Sequence, residues 1–343
     1  MKSRRIAAFA GTGGVTALVA ALALAPGAPA TEPTALAAAA CTPVSNIQTI
    51  IDDSGSMLGT DSGKLRVAAV KLLIDTPGNE QITLGAVEFG GGFDPADPTA
   101  AVTLFPPQPI GPNAAAMKAA LQASIDADNG ITDYNAAFAR ATADNPNAKA
   151  RIFLTDGGHN VGDYANGHQG GPPTYVIGFS SATTGEDGLR LQQIASETGG
   201  RYFASTDASN LQAVMNEVGT TLTCQSPPKT FNDAFSTAGQ VKPHAVKLAS
   251  RARSAQLTLS WSSPLDSFTV TKVRIVRRGK VVAVASARKR KLRLTTRRGD
   301  TFLVVKVGHL TKGSLRFKVR ATRVGSGAPS VNLTTQVTQS RRS

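Results

Sequence analysis

The run Asp52-Asp53-Ser54-Gly55-Ser56 follows an apolar stretch at residues 47–51, so a predicted strand ends in a tight turn that carries a carboxylate and two hydroxyls. Two further turns offer oxygen donors. Thr132 lies in Gly130-Ile131-Thr132-Asp133, which opens a predicted helix, and Asp156 lies in Asp156-Gly157-Gly158, which closes an apolar strand at 151–155. The carboxyl ends of strands in an open α/β sheet are where such sheets bind ligands. Asp52, Ser54, Ser56, Thr132 and Asp156 are therefore the expected cage for a hard cation. Magnesium takes near-octahedral oxygen ligands at about 2.0–2.1 Å and keeps some waters, so a site with an open position is expected. Hydroxyl ligands leave most of the ion's charge uncancelled, whereas directly bound carboxylates would quench it. Each turn alone is an ordinary use of Asp, Ser and Gly. Their order, with strands before two of them and a helix after the third, gives the metal reading.

This five-part pattern resembles the metal-ion-dependent adhesion site of the von Willebrand factor type A family, with Asp52, Ser54, Ser56, Thr132 and Asp156 matching its five positions. The resemblance implies that Ser54, Ser56 and Thr132 coordinate Mg²⁺ (or Mn²⁺ or Ca²⁺) directly while Asp52 and Asp156 act through bound water. It also implies that a protein partner's exposed Asp or Glu supplies the last ligand. The function so implied is adhesion or protein–protein interaction.

The elements that must hold this site alternate. Strands are predicted at 47–51, 81–89, 101–105, 151–155, 174–179 and 201–204, and helices at 64–74, 114–125, 133–143, 189–198 and 210–222, the last but one stopping at Gly199-Gly200. This is the pattern of a doubly wound, mostly parallel α/β sheet. It resembles the type A fold over residues 41–224. Between Asp156 and the strand at 174 the family commonly has a helix, yet residues 157–173 are rich in Gly, Asn and His. That loop is expected to lie mobile beside the ion, with Tyr164, His159 and His168 as candidate partner contacts.

Residues 1–30 combine a basic start (Lys2, Arg4, Arg5), an apolar run and Ala28-Pro29-Ala30, the pattern of a secretory signal peptide. An uncleaved anchor is the alternative. Either makes the protein secreted or attached to the cell surface. Cys41 and Cys224 bracket the α/β segment, and in an oxidising compartment they are expected to pair, a closure worth about 5 kcal/mol in the loop-entropy account. The competing reading makes Cys41 a lipidated N-terminus after Ala38-Ala39-Ala40.

Charge divides the chain. Residues 31–224 hold 9 Lys and Arg against 20 Asp and Glu, and residues 225–343 hold 25 against 3. Residues 225–250 read as a linker and 251–343 as about seven short strands of an all-β sandwich, loosely similar to fibronectin type III or immunoglobulin-like modules. Arg288-Lys289-Arg290-Lys291, Arg297-Arg298, Lys272, Arg274, Arg277, Arg278 and Lys280 are expected to make one surface strongly positive. That surface suits an anionic polymer of the cell envelope. Nucleic acid is not expected, because stacking aromatics are scarce. Arg298-Gly299-Asp300 is read as a chance integrin-like tripeptide.

Two other classes stay open. A structural envelope component would use the ion only to stabilise loops. An esterase could be drawn from Asp53-Ser54 and Asp156-x-x-His159, but it leaves Ser56 and Thr132 without roles, and a non-enzymatic function is expected.

Overall fold

A computed structural model describes residues 42–341 other than 93, 95–96, 98, 125–129, 180–183, 206–209, 286–290 and 328. The predicted signal segment, Cys41 and Arg288-Lys289-Arg290 lie outside the described residues. No helix among the described residues is long and apolar enough to cross a membrane.

The first sheet is built from β1 (Asn46–Asp52), β2 (Thr83–Phe89), β3 (Ala101–Pro109), β4 (Ala150–Thr155), β5 (Thr174–Phe179) and β6 (Arg201–Ser205), in the spatial order β3-β2-β1-β4-β5-β6. All neighbours run parallel except β2 and β3, which pair antiparallel. The central strands are buried on both faces, which explains why they read as near-continuous apolar runs. Helices α1 (Met57–Thr60), α2 (Leu65–Asp75), α3 (Ile110–Ser124), α4 (Tyr134–Asp144), α5 (Gly185–Glu197) and α6 (Leu211–Leu222) connect them. Two apolar clusters form, one containing Ile47, Leu73, Ile152 and Met215, the other Ile50, Phe89, Phe138 and Phe153. The strand order reverses between β1 and β4, the position where open sheets leave a crevice for ligands. Asp52 ends β1 and Asp156 follows β4, so the topology alone brings both carboxylates to that crevice.

Local chemistry sets the helix starts. Asp133 caps α4 by accepting from the amides of Asn135 (2.8 Å) and Ala136 (3.1 Å). At α2 the residue before the helix is Lys64, left-handed at φ 55°. Its capping role passes to Asp61, whose carboxylate accepts from the Leu65 (2.7 Å) and Arg66 (2.9 Å) amides. α5 stops at Gly199, φ 72°, and the Gly200 amide donates back to the Ala195 carbonyl at 2.8 Å, a glycine-closed end as the sequence predicts.

The second part has nine strands: β7 (Lys229–Phe235), β8 (Val241–Lys247), β9 (Ala252–Ser260), β10 (Ser267–Arg277), β11 (Lys280–Val284), β12 (Arg293–Arg298), β13 (Phe302–Gly308), β14 (Ser314–Arg323) and β15 (Val331–Arg341). They form two antiparallel sheets, β11-β10-β14-β8 and β12-β13-β9-β15-β7, around a core that includes Trp261, Phe268, Phe317 and Leu259. The expected linker at 225–250 is corrected here, because it contains β7 and β8. Both strands lie at sheet borders with one buried residue each, Phe235 and Val246, so no apolar alternation marks them in sequence. The expected single basic surface is also corrected. Lys272 and Arg274 lie on β10, whereas Arg297 and Arg298 lie on β12 in the other sheet.

Residues 41–343 form one compact unit. Leu72 of α2 packs with Phe302 and Val304 of β13. Asn216 of α6 donates to Gln336 Oε1 (2.9 Å) and accepts from Thr258 Oγ1 (3.1 Å).

Candidate metal centre

The turn after β1 is held from three sides. The Asp53 amide donates to the Phe89 carbonyl (2.8 Å), and the Gly55 amide donates to the Gly130 carbonyl (3.0 Å). Gly90, at φ 121°, lies so close beneath the turn that a Cβ there would sit 2.3 Å from the Ser54 nitrogen. A Cβ on Gly130 would sit 2.1 Å from the Gly90 carbonyl oxygen. Both glycines are therefore required by close backbone approach, and together they lock the first turn to the one carrying Thr132.

Each predicted residue arrives in one cluster. Thr132 Oγ1 donates to Ser54 Oγ at 3.0 Å, and the Ser54 and Ser56 hydroxyls lie 3.2 Å apart. Ser56 Oγ donates to Asp156 Oδ1 at 2.7 Å. Asp52 Oδ1 accepts from the Ser54 amide (2.9 Å), and its Oδ2 accepts from Thr155 Oγ1 (2.5 Å). Adjacent ligands of an octahedron with about 2.0–2.1 Å bonds stand about 3 Å apart. The Ser54–Thr132 and Ser54–Ser56 hydroxyl separations match that edge length, so the residues present fit a small divalent cation. Gly157 leaves the cradle open, since a Cβ there would face Ser56 Oγ at 3.7 Å and Thr132 Oγ1 at 3.9 Å. Among the described residues no group of three or more His, Cys, Asp or Glu side chains could hold a metal.

The two carboxylates of the crevice also act on each other. Asp52 is pushed up to about 6, first by burial and then by the neighbouring Asp156 carboxylate. Asp53 points the other way, to the Arg66 guanidinium, which also donates to Asp61 at 3.1 Å. This buried trio ties the cation turn to the start of α2.

Three positioning residues were not predicted. Thr60 Oγ1 reaches Asp156 Oδ2 from α1, one helical turn after Ser56. Thr155 holds Asp52 across the crevice. Asn160 Oδ1 accepts from the Thr132 amide (2.9 Å) while the Asn160 amide donates to the Thr132 carbonyl (3.1 Å). Thr155 is adjacent to Asp156 in sequence, a legible signal; Thr60 and Asn160 sit in stretches with no pattern to mark them.

Of the predicted partner contacts, the His159 and His168 side chains are buried and Tyr164 is half-buried. Residues 157–173 contain no helix or strand, but the loop is tethered by its own side chains. His168 is 0% exposed, bonded to Tyr164 Oη (2.7 Å) and Glu197 Oε2 (2.9 Å). The His159 ring is buried too: its Nδ1 accepts from the Tyr134 amide (3.1 Å), and burial lowers its pKa. Tyr164 packs edge-on against Tyr134 and stacks on His168. Histidine and tyrosine rings carry enough apolar surface for a loop without secondary structure to bury. Ser54 Oγ meets the Ser56 and Thr132 hydroxyls, and Asp156 bonds Ser56 and Thr60.

No family model matches the chain, and no curated protein matches it. Among solved structures the chain is similar to a von Willebrand factor type A protein from Catenulispora acidiphila, at 17% identity and TM-score 0.44, covering 88% of this chain and 63% of that one. It is similar to proximal thread matrix protein 1 from the mussel byssus with a zinc-occupied MIDAS motif, at 18% identity and TM-score 0.43, covering 58% and 51%. It is similar to the pilus adhesin SpaC from Lactobacillus rhamnosus GG, at 14% identity and TM-score 0.43, covering 88% and 44%. The chain thus spans between 44% and 63% of these structures, and likeness at such scores adds nothing to the site geometry.

Proposed function

We propose that residues 41–224 are a type A adhesion domain in which Ser54, Ser56 and Thr132 bind a divalent cation directly and Asp52 and Asp156 orient its waters. The observation that carries this reading is the hydroxyl trio, with oxygens 3.0 and 3.2 Å apart on two separate turns. When bound, the ion supplies an electrophilic position for an acidic side chain of a protein partner. The chain's own residues do the rest. Thr155 and the Ser54 amide hold Asp52, while Ser56 and Thr60 hold Asp156, so neither carboxylate is free to swing inward and quench the site. Mg²⁺ is the ion this oxygen set suits, with Mn²⁺ or Ca²⁺ as alternatives. The function is capture without turnover, at the cell surface or outside the cell. Cys41 and Cys224 would close the domain there by a disulfide.

Calorimetric titration with Mn²⁺ tests this reading, followed by water-proton relaxation as an Asp-containing peptide is added. Saturable binding, lost in Ser54→Ala and Thr132→Ala, and displacement of a bound water by the peptide are expected. Binding that survives both substitutions would contradict it.

A further inference from the structure

The outward face of the sheet β11-β10-β14-β8 is a cationic lane. On β14, Leu315, Phe317, Val319 and Ala321 are buried, so Arg316, Lys318 and Arg320 point outward. Pairing places Arg274 of β10 directly opposite Arg316, and Thr271 and Thr269 opposite Lys318 and Arg320. The register shift in β10 between Thr271 and Arg274 leaves Lys272 exposed at φ 51° beside them. On the far side β8 sets Ala245, Pro243 and Val241 against Arg316, Lys318 and Arg320. Lys272, Arg274, Arg316, Lys318, Pro243 and Ala245 line a shallow depression of about 220 Å³.

Among the described residues no carboxylate pairs with this lane. Residues 225–343 contain only three acids. Asp233 faces His244 at 2.8 Å, Asp266 is buried and accepts from the Gly325 (2.8 Å) and Ser326 (3.2 Å) amides, and Asp300 sits in the β12–β13 turn. Among the described residues, none of the five cations Lys272, Arg274, Arg316, Lys318 and Arg320 has an ion-pair partner. Like charges directly opposite on neighbouring strands destabilise a sheet. The Arg274–Arg316 pair is therefore a standing repulsion that an external anion would relieve.

We propose that this face binds an acidic polysaccharide in an extended conformation. Alternate residues along a strand are about 6.7 Å apart and neighbouring strands about 4.8 Å apart, so the cations form a narrow track that runs on past the depression to Arg320. The arginine forks suit carboxylate or sulfate. Thr269 and Thr271 stand between the cations as hydroxyl partners for sugar hydroxyls. Phe268 and Phe317, the phenylalanines of β10 and β14, are buried and offer bases little stacking surface. The proposal is independent of the metal centre.

The test uses the full chain in EDTA, which removes any contribution of the cation site. Binding is measured across a salt series to polygalacturonate, which offers carboxylates, and to dextran sulfate, with neutral dextran, single-stranded oligothymidylate and anionic phospholipid vesicles as the other arms. Salt-sensitive binding to one or both acidic polysaccharides, tighter than to the other three, is expected. The triple variant Arg274→Gln, Arg316→Gln, Lys318→Gln should bind about tenfold or more weakly, with the salt slope reduced by about one per lost contact. Arg253→Gln, Arg293→Gln, Arg297→Gln removes the same charge from β9 and β12 of the other sheet and should change affinity less than about twofold. The single variant Arg316→Gln, which relieves the repulsion, should fold at least as well as the parent and still bind more weakly. Equal losses from the two triple variants, tighter binding to oligothymidylate or vesicles, or no binding to either acidic polysaccharide would overturn the proposal.

Discussion

Asp52 is the residue on which proton and cation compete. Its folded value of about 6 lies above the ordinary 3.8, so the metal-free fold holds a proton that the unfolded chain releases between those values. Stability of the metal-free protein should therefore gain a contribution as pH falls from 7 through 6, complete below about 4, and on the order of 3 kcal/mol at most. Saturating Mg²⁺ should reverse the trend by keeping Asp52 ionised, and Asp52→Asn should remove it. Melting curves of both proteins at pH 7 and 4.5, with and without Mg²⁺, check the sign. The two glycines beneath the turn give a second prediction at this scale. Gly130→Ala must push a Cβ into the Gly90 carbonyl, and overpacking at such contact costs about 1–3 kcal/mol. Denaturant melts should show that loss, together with weakened Mn²⁺ binding.

At the scale of elements, the site is assembled by α2, α4 and the 157–173 loop as much as by the strands. Asp61 caps α2 and pairs with Arg66, which in turn holds Asp53. Asp61→Ala removes a cap and leaves a buried guanidinium short of a partner, so a loss of about 2–4 kcal/mol is expected in chemical denaturation. His168→Ala should instead act locally. It deletes the His168 bonds to Tyr164 within the loop and to Glu197 of α5. Limited proteolysis should then cut within 157–173 faster than in the parent, with Mn²⁺ binding retained; unchanged cleavage would show that the tether lies elsewhere. Legibility followed the same division. Asp52, Ser54, Ser56, Thr132 and Asp156 could be read because apolar strands with strict buried patterns precede two of their turns, and Asp133 marks the helix after the third. The loop's role could not be read, because His159 and His168 look solvent-loving in sequence and only tertiary contact shows their side chains buried. β7 and β8 were hidden for the opposite reason, their alternate residues being polar on a sheet border.

For the whole molecule, the contacts of α2 and α6 with the β-sandwich join the two parts into one body. α6 is held by Asn216 to Gln336 and Thr258, and Gln212 meets Thr301 Oγ1 at 2.5 Å. Buried polar groups that lose their partners are costly, so the two parts should unfold together. Calorimetry should show one transition that Mg²⁺ shifts as a unit; two resolved transitions, with only one responding to Mg²⁺, would contradict this. The division of charge then has a spatial meaning, with an acidic α/β part and a cationic sandwich presenting different surfaces from a fixed frame.

The central claim is that three hydroxyls from separate turns hold a divalent cation with a position left open. Diffraction from crystals soaked in Mn²⁺, collected for anomalous signal, measures it most directly. The account predicts one strong peak within about 2–2.5 Å of Ser54 Oγ, Ser56 Oγ and Thr132 Oγ1, with water or an acidic group on the solvent side. An empty crevice between β1 and β4, or a peak bound by Asp52 and Asp156 with the hydroxyls turned away, would contradict it.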